Sequence, residues 1–229
     1  VGDTVTLTGD EAHHAARVGR LQVGETTAVG DGTGLMAAAT VTTVSGSEVA
    51  VRVDSLEHHA RPIPEIWLAQ ALAKGDRDEL AIQACTELGI DRVIPFQASR
   101  SISTWKDDKV DKGVARWTKI VTEATKQALR AYIPQLSEPQ STPGLCSLAS
   151  ECQIVVLDPL AIEALSQFRP AGDRPILLVV GPEGGLSPEE LSALEKSGAT
   201  RRKLGESVLR TSSAGPAALA VLNVMLRRW

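Results

Sequence analysis

The sequence predicts an α/β protein, with a mainly parallel sheet in the C-terminal part and a small β-barrel ahead of it. Three observations carry that expectation. After residue 65, continuous apolar runs such as "QIVVLDP" and "PILLVVGPEGG" alternate with helical stretches, the pattern of strands covered on both faces. Before residue 58, short β-branched runs are strung between Gly-rich turns. Charge also changes at the junction. Residues 1–60 carry three basic and eight acidic side chains (−5), residues 61–140 twelve and eleven (+1), and residues 141–229 nine of each. The stretch "EHHARPIPE" at the junction, with two prolines, fits a linker. The domains expected are therefore 1–60 and 61–229.

Taken in order, "TVTLTG" opens the first part as a strand, and "DEAHHAARVGRL" reads as a short helix with Asp10 as its N-cap. "GDGTG" and "SGS" are hairpin connections between the strands that follow. "IWLAQAL" is a buried strand. "DRDELAIQACTELG" is a helix with apolar Leu80, Ala81, Ala84, Cys85 and Leu88, closed by Gly89. "RVIPF" is a strand, and a long helix over 108–131 has Val114, Trp117, Ile120, Val121, Ala124 and Ala128 as its apolar stripe. "SPEELSALEKSG" starts as a capping box from Ser187 to Glu190. "RRKLGESVLRTSSAG" is mostly loop, and "PAALAVLNVMLRRW" closes the chain as an apolar helix from Pro216.

Composition narrows the chemistry. The 229 residues, 43% hydrophobic and 23% charged, suit a soluble globular protein, and no apolar run approaches the roughly 20 residues that span a bilayer. Three cysteines without a C-x-x-C pair argue against a disulfide framework or a zinc site and fit a reducing cytoplasm. The histidines form two doublets, His13-His14 and His58-His59, neither with helical metal-site spacing, so no metal is expected. A net charge of −4 means that any RNA-binding surface must be local.

The sequence has no P-loop, no G-x-G-x-x-G opening the first βα unit and no G-x-S-x-G elbow, and no histidine follows residue 59 to serve Ser187. What it does have is "GPEGG" at the end of an apolar strand, where open parallel sheets collect ligands. Gly181, Gly184 and Gly185 leave main-chain groups within a ligand's reach. A second loop, "LGESVLRTSSAGPAAL" over 204–219, also leads from an apolar segment into a helix. Together the two loops can line one pocket for an uncharged ring and polar edges read by amides and carbonyls.

These residues resemble a known family. "LLVVGPEGGLSPEEL" with "KLGESVLRTSSAGPAAL" is similar to the paired C-terminal motifs of the RsmE proteins, the 16S ribosomal RNA uridine-N3 methyltransferases of the SPOUT class. "ALAKGDRDELAIQACTELGIDRVIPFQASRS", "EATKQALRAYIP" and "EAHHAARVGRLQVGE" extend the likeness over nearly the whole chain. The resemblance implies an N-terminal PUA-like barrel that binds RNA and a C-terminal SPOUT domain whose last segment threads a trefoil knot. It also implies S-adenosyl-L-methionine as cofactor, a homodimer, and 16S rRNA in the small subunit as substrate. Where many relatives have Leu-Arg-Thr-Glu-Thr, this chain has Leu209, Arg210, Thr211, Ser212, Ser213, without the carboxylate. Lys126 and Leu129 stand where Glu and Gly are common.

For the cofactor the expected contacts are Val180, Gly181, Pro182, Glu183, Gly184 and Gly185 on one wall, and Leu204, Gly205, Val208, Leu209 and Arg210 on another. Leu157 and Asp158 form a third. Arg210 is the first candidate for catalysis, stabilising charge on the uracil oxygens, and Glu183 the second, orienting the cofactor or taking a proton. For RNA the family-matched cations are Arg17, Arg20, Lys74, Arg77 and Arg100. A second stripe on the long helix, Arg116, Lys119, Glu123, Lys126 and Arg130, adds Lys126 and Arg130. Three other readings stay open: a knotted ribose 2′-hydroxyl methyltransferase, a methyltransferase for another base such as guanosine N1, and a non-catalytic RNA-binding or ribosome-assembly protein.

Overall fold

A computed structural model describes residues 1–13, 15, 16 and 20–229; Arg17 lies outside the described residues. The chain divides into two compact units, residues 1–61 with 129–132, and residues 62–128 with 133–229.

The first unit is an antiparallel sheet of β1 (Thr4–Thr8), β2 (Thr26–Gly30), β3 (Leu35–Val44) and β4 (Glu48–His58), in the order β1-β4-β3-β2. Alternate residues of the two long strands, Ala39 and Val41 on β3 and Val49 and Val51 on β4, turn inward and pack against Ala12. Ala12 belongs to the short helix α1 (Gly9–His13). That helix already begins at Gly9, so Asp10 sits in its first turn and is not its N-cap. Both hairpin connections fall where glycine and serine mark them, and Asp31 clasps the first by accepting from Thr33 N at 2.7 Å and Leu35 N at 3.1 Å. Residues 129–132 join this unit: Gly34 N donates to Ala131 O (2.9 Å) and the Tyr132 hydroxyl to His59 O (2.8 Å).

The second unit holds a six-stranded, wholly parallel sheet. Its elements are β5 (Ile66–Ala71), α2 (Arg77–Glu87), β6 (Arg92–Phe96), α3 (Asp108–Gln127), β7 (Gln135–Leu136), α4 (Thr142–Ser147), β8 (Gln153–Leu157), β9 (Ile176–Val180), α5 (Pro188–Lys196), β10 (Thr200–Arg202) and α6 (Thr211–Met225). The strand order is β10-β8-β9-β5-β6-β7. On β5, Ile66 and Leu68 join one core with Ile82, Trp117 and Leu219 from α2, α3 and α6, while Trp67 and Ala69 join another with Leu145 and Leu194 from α4 and α5. Helices therefore cover both faces, which is why these strands read as unbroken apolar runs.

Two expected boundaries move. The long helix ends at Gln127 rather than at 131, because Leu129 takes a left-handed φ of 51° that no helix can continue through. Arg130 thereby leaves the polar stripe and falls in the first unit. The last helix begins five residues before Pro216, at Thr211, where Arg210 O accepts from Ser213 N (2.9 Å) and Ala214 N (3.0 Å). The proline lies inside the helix instead of opening it. The short elements β7 and α4 had no counterpart in the reading of the sequence.

Candidate active site

The carboxyl ends of β8 and β9, the start of α5, and the connection from β10 to α6 enclose a cavity of about 670 Å³. Every cofactor candidate from the sequence lines it: Leu157 and Asp158 after β8, Val180 to Gly185 after β9, and Leu204, Gly205, Val208, Leu209 and Arg210 after β10. Arg77, Arg100, Leu160, Leu191, Arg202 and Thr211 complete much of the lining.

The wall formed by residues 181–186 is fastened from several sides. Gly185 N donates to Pro182 O (2.9 Å) and closes a turn, with Gly185 at φ 68°. Glu183 accepts from Lys74 N (3.1 Å) and from Arg77 Nη1 (3.2 Å), which ties the β5–α2 loop to this wall. Burial pushes the Glu183 carboxyl up, but the amides of Glu183 and Lys74 and the Arg77 guanidinium outweigh it and hold the group below the usual glutamate range. Arg100 Nη1 donates to Gly184 O (3.1 Å) and Leu186 O (3.4 Å), latching the β6–α3 loop to the same turn. Arg77 and Arg100, expected to contact RNA, therefore also build the cavity wall.

Behind Arg100 stands Glu190, which the sequence showed only as part of a capping box. It is buried, and its two oxygens accept from Ser99 N (2.9 Å), Ser99 Oγ (2.7 Å), Thr142 Oγ1 (2.9 Å) and Ser187 N (2.9 Å). Burial raises this carboxyl too, yet the four donors prevail and keep it ionised below its ordinary range. Asp158 is committed in a similar way. Arg201 grips one of its oxygens with Nε (2.7 Å) and Nη2, and Leu160 N donates to the other (2.9 Å), so toward the cavity Asp158 offers main chain.

The wall formed by residues 204–210 is sparsely held. Among the described residues the backbone of 204–209 makes no hydrogen bond, and Val208 is 76% exposed. Gly205 keeps an ordinary φ, and a Cβ built on it meets nothing within 4 Å. Arg210 is the exposed N-cap residue of α6, and its side chain has no partner among the described residues. The first turn of α6 follows, with Thr211 and Ala214 in the cavity lining, so the positive end of a 15-residue helix faces the cavity.

The remaining RNA candidates are spread more widely. Arg20 and Lys74 are exposed. Lys126 is half-buried and pairs with Glu123 at 3.1 Å, and Arg130 is half-buried off the helix. Arg116, from the same polar stripe, is engaged by Glu79 at 2.5 Å and Asp76 at 3.5 Å. Among the described residues no group of three or more His, Cys, Asp or Glu could hold a metal ion, and no helix is long and apolar enough to cross a membrane.

A parallel α/β domain with two main-chain walls at its strand ends is a ligand-binding arrangement. Residues 59–223 match the family model of the RNA methyltransferase domain, and residues 7–54 match that of the RNA methyltransferase PUA domain. The chain belongs to the ribosomal RNA small subunit methyltransferase E family. It is 38% identical to that enzyme of Mycobacterium bovis, over 100% of this chain and 89% of the relative, and 33% identical to that of Bacillus subtilis, over 96% and 90%. The crystal structure of the Neisseria gonorrhoeae enzyme, bound to S-adenosyl methionine, matches it with a TM-score of 0.86 at 28% identity, covering 98% and 93% of the two chains.

Proposed function

We propose that this protein methylates small-subunit ribosomal RNA with S-adenosylmethionine, and that the acceptor is N3 of a uridine. The observation that carries the cofactor part is the bare main chain of the cavity, Gly205 above all. The fold does not require glycine there, since φ is ordinary and a side chain would have room. A ligand that presses against the backbone accounts for it. The apolar side chains of Leu157, Val180 and Leu204 suit an adenine ring, and Arg77 and Arg100 suit a carboxylate. When bound, the cofactor supplies an electrophilic methyl group on a sulfonium.

The chain's own residues position and polarise. Arg210 and the first turn of α6 present positive charge where the uracil oxygens gain negative charge as N3 loses its proton. Among the described lining residues the ionisable ones are Arg77, Arg100, Asp158, Glu183, Arg202 and Arg210. Both carboxylates are paired with arginine, so neither is assigned the proton of N3. In this proposal uridine ionises at N3 before methyl transfer and its proton leaves to solvent. Substrate RNA approaches over Lys74, Arg77, Arg100 and Arg210.

The family's trefoil threading is assigned to the return of residues 203–211, from the sheet-edge strand β10 to α6, which packs on central β5. A homodimer acting in the cytoplasm completes the proposal; apolar Leu160 (84% exposed) and Ile162 (95%) on the loop after β8 suit coverage by a second copy.

The test is methylation of small subunits that lack the modification, followed by mass spectrometry of nucleosides and repeated across pH. N3-methyluridine, with a rate that climbs steadily from pH 6 to 9, is the expected result. A 2′-O-methyl nucleoside or a methylated guanosine overturns the acceptor. Absence of any product with cofactor bound supports the non-catalytic reading, and a plateau beginning near neutrality reveals a proton acceptor.

A further inference from the structure

Gln70 is a primary amide, next to last in a strand whose other residues are apolar, and it is fully buried. Buried amides persist where hydrogen bonds hold them. Gln70 Nε2 donates to Thr211 Oγ1 at 2.9 Å, across 141 residues of sequence, and to Ala71 O at 3.2 Å. Thr211 Oγ1 in turn donates to Gly181 O at 2.9 Å. A hydroxyl has one proton to give, so the direction is fixed: amide to hydroxyl, hydroxyl to carbonyl. Gln70 Oε1 is buried without a partner among the described residues, so the amide is kept for what its nitrogen does.

Thr211 opens α6 and Gly181 follows β9, and both line the cavity, each on a different wall. Among the described residues the Thr211–Gly181 bond is the single hydrogen bond that joins residues 181–186 directly to residues 204–214. Gln70 does not line the cavity; it orients the hydroxyl from the central strand behind. We infer that Gln70 and Thr211 are positioning residues that set the gap between the two main-chain walls, and so the affinity for the methyl donor. The inference rests on the cofactor reading above and assigns the pair no contact with the reacting atoms.

Thr211→Val keeps the shape of the side chain and removes both hydrogen bonds, Thr211→Ser restores them, and Gln70→Leu removes the orienting amide. S-adenosylmethionine and S-adenosylhomocysteine affinities are measured by calorimetry on purified protein, beside the melting temperature without ligand. The expected result is that Thr211→Val weakens both ligands by about tenfold or more, Gln70→Leu weakens them by several-fold, and Thr211→Ser stays within about threefold of the parent. Thr211→Val that is folded and binds with parental affinity overturns the inference, because the bond is then only structural. Thr211→Ser as weak as Thr211→Val also overturns it, because the methyl group and not the hydroxyl then matters. Failure of the parent itself to bind either ligand refutes the cofactor reading instead. Should Thr211→Val not fold, Gln70→Leu decides alone, unchanged affinity being the refuting outcome.

Discussion

The two walls of the cavity are both glycine-bearing and both lead into helices, yet they are built in opposite ways. Residues 181–186 are held by a closed turn, by Glu183 reaching to Lys74 N and Arg77, and by Arg100 reaching to two of their carbonyls. Residues 204–209 have no backbone hydrogen bond among the described residues and carry the free Arg210 at their end. Among the described residues the first wall is tied down by its own hydrogen bonds and the second is not, so the first is the fixed wall and the second the loose one. The comparison also separates two uses of arginine. Arg77 and Arg100 spend donors on the fixed wall, whereas the Arg210 side chain has no partner among the described residues.

The largest effect follows from that last contrast. Arg210→Ala should lower single-turnover methyl transfer by about 100-fold or more, the scale seen when a donor to developing charge is removed. Affinity for S-adenosylmethionine should stay within a few-fold, because the fixed wall is untouched. Equal turnover in variant and parent would remove Arg210 from the mechanism. Arg100→Ala should show the reverse balance, with weakened cofactor binding and lower stability.

Stability of the fixed wall should rest heavily on Glu190. Glu190→Ala leaves three groups of donors at Ser99, Thr142 and Ser187 without their acceptor and should cost about 2–4 kcal/mol in urea unfolding. The sign of its pH dependence follows from the lowered carboxyl. A group with a folded pKa below its unfolded value stabilises fully above the unfolded value, and that contribution disappears as pH falls through the folded one. Glu183 and Glu190 are both of this kind, so the protein should lose stability from the ordinary glutamate range downward. Glu190→Gln should flatten that loss while being less stable near neutrality. A parallel acid profile in parent and variant would mean that Glu190 is not the group responsible.

Much of this site was legible in the sequence because it is made of main chain. Strands buried on both faces must be continuous apolar runs, and the residues that end them, "LD" at 157–158 and "GPEGG" at 181–185, are then at the ligand end of the sheet by topology alone. What stayed hidden depends on side chains that meet across long sequence separations. Glu190 looked like an ordinary cap because its partners Ser99 and Thr142 are 91 and 48 residues away. Gln70 looked like a polar break in an apolar strand for the same reason. Asp158 looked like a contact for the ligand, and Arg201 occupies its carboxylate. Helix ends failed for a local reason. Proline at 216 carries the usual start signal, but the helix is already under way five residues earlier, where the carbonyl of Arg210 accepts from Ser213 N and Ala214 N. At 129 a leucine stands in a left-handed turn that glycine would occupy without strain, so apolar periodicity ran past the true end of α3.

The smallest effects bear most directly on why glycines are there at all. Gly185 sits at φ 68°, where an L side chain is strained whatever space surrounds it, so Gly185→Ala should destabilise the ligand-free protein by about 1 kcal/mol. Gly205 has an ordinary φ and open space at its Cβ position, so Gly205→Ala should leave the ligand-free protein unchanged or more stable by roughly 0.4–1 kcal/mol, through the reduced entropy of the unfolded chain. Cofactor affinity should order them the other way. On the cofactor reading the open space beside Gly205 is where the ligand lies, so a methyl group at 205 should weaken binding by roughly tenfold, while alanine at 185 acts only through the turn. Opposite signs in thermal unfolding, with the larger loss of affinity at the more stable variant, would establish that the fixed wall has glycine for its backbone and the loose wall has glycine for its ligand. If Gly205→Ala binds as tightly as the parent, the loose wall does not touch the cofactor, and the fixed wall alone holds it.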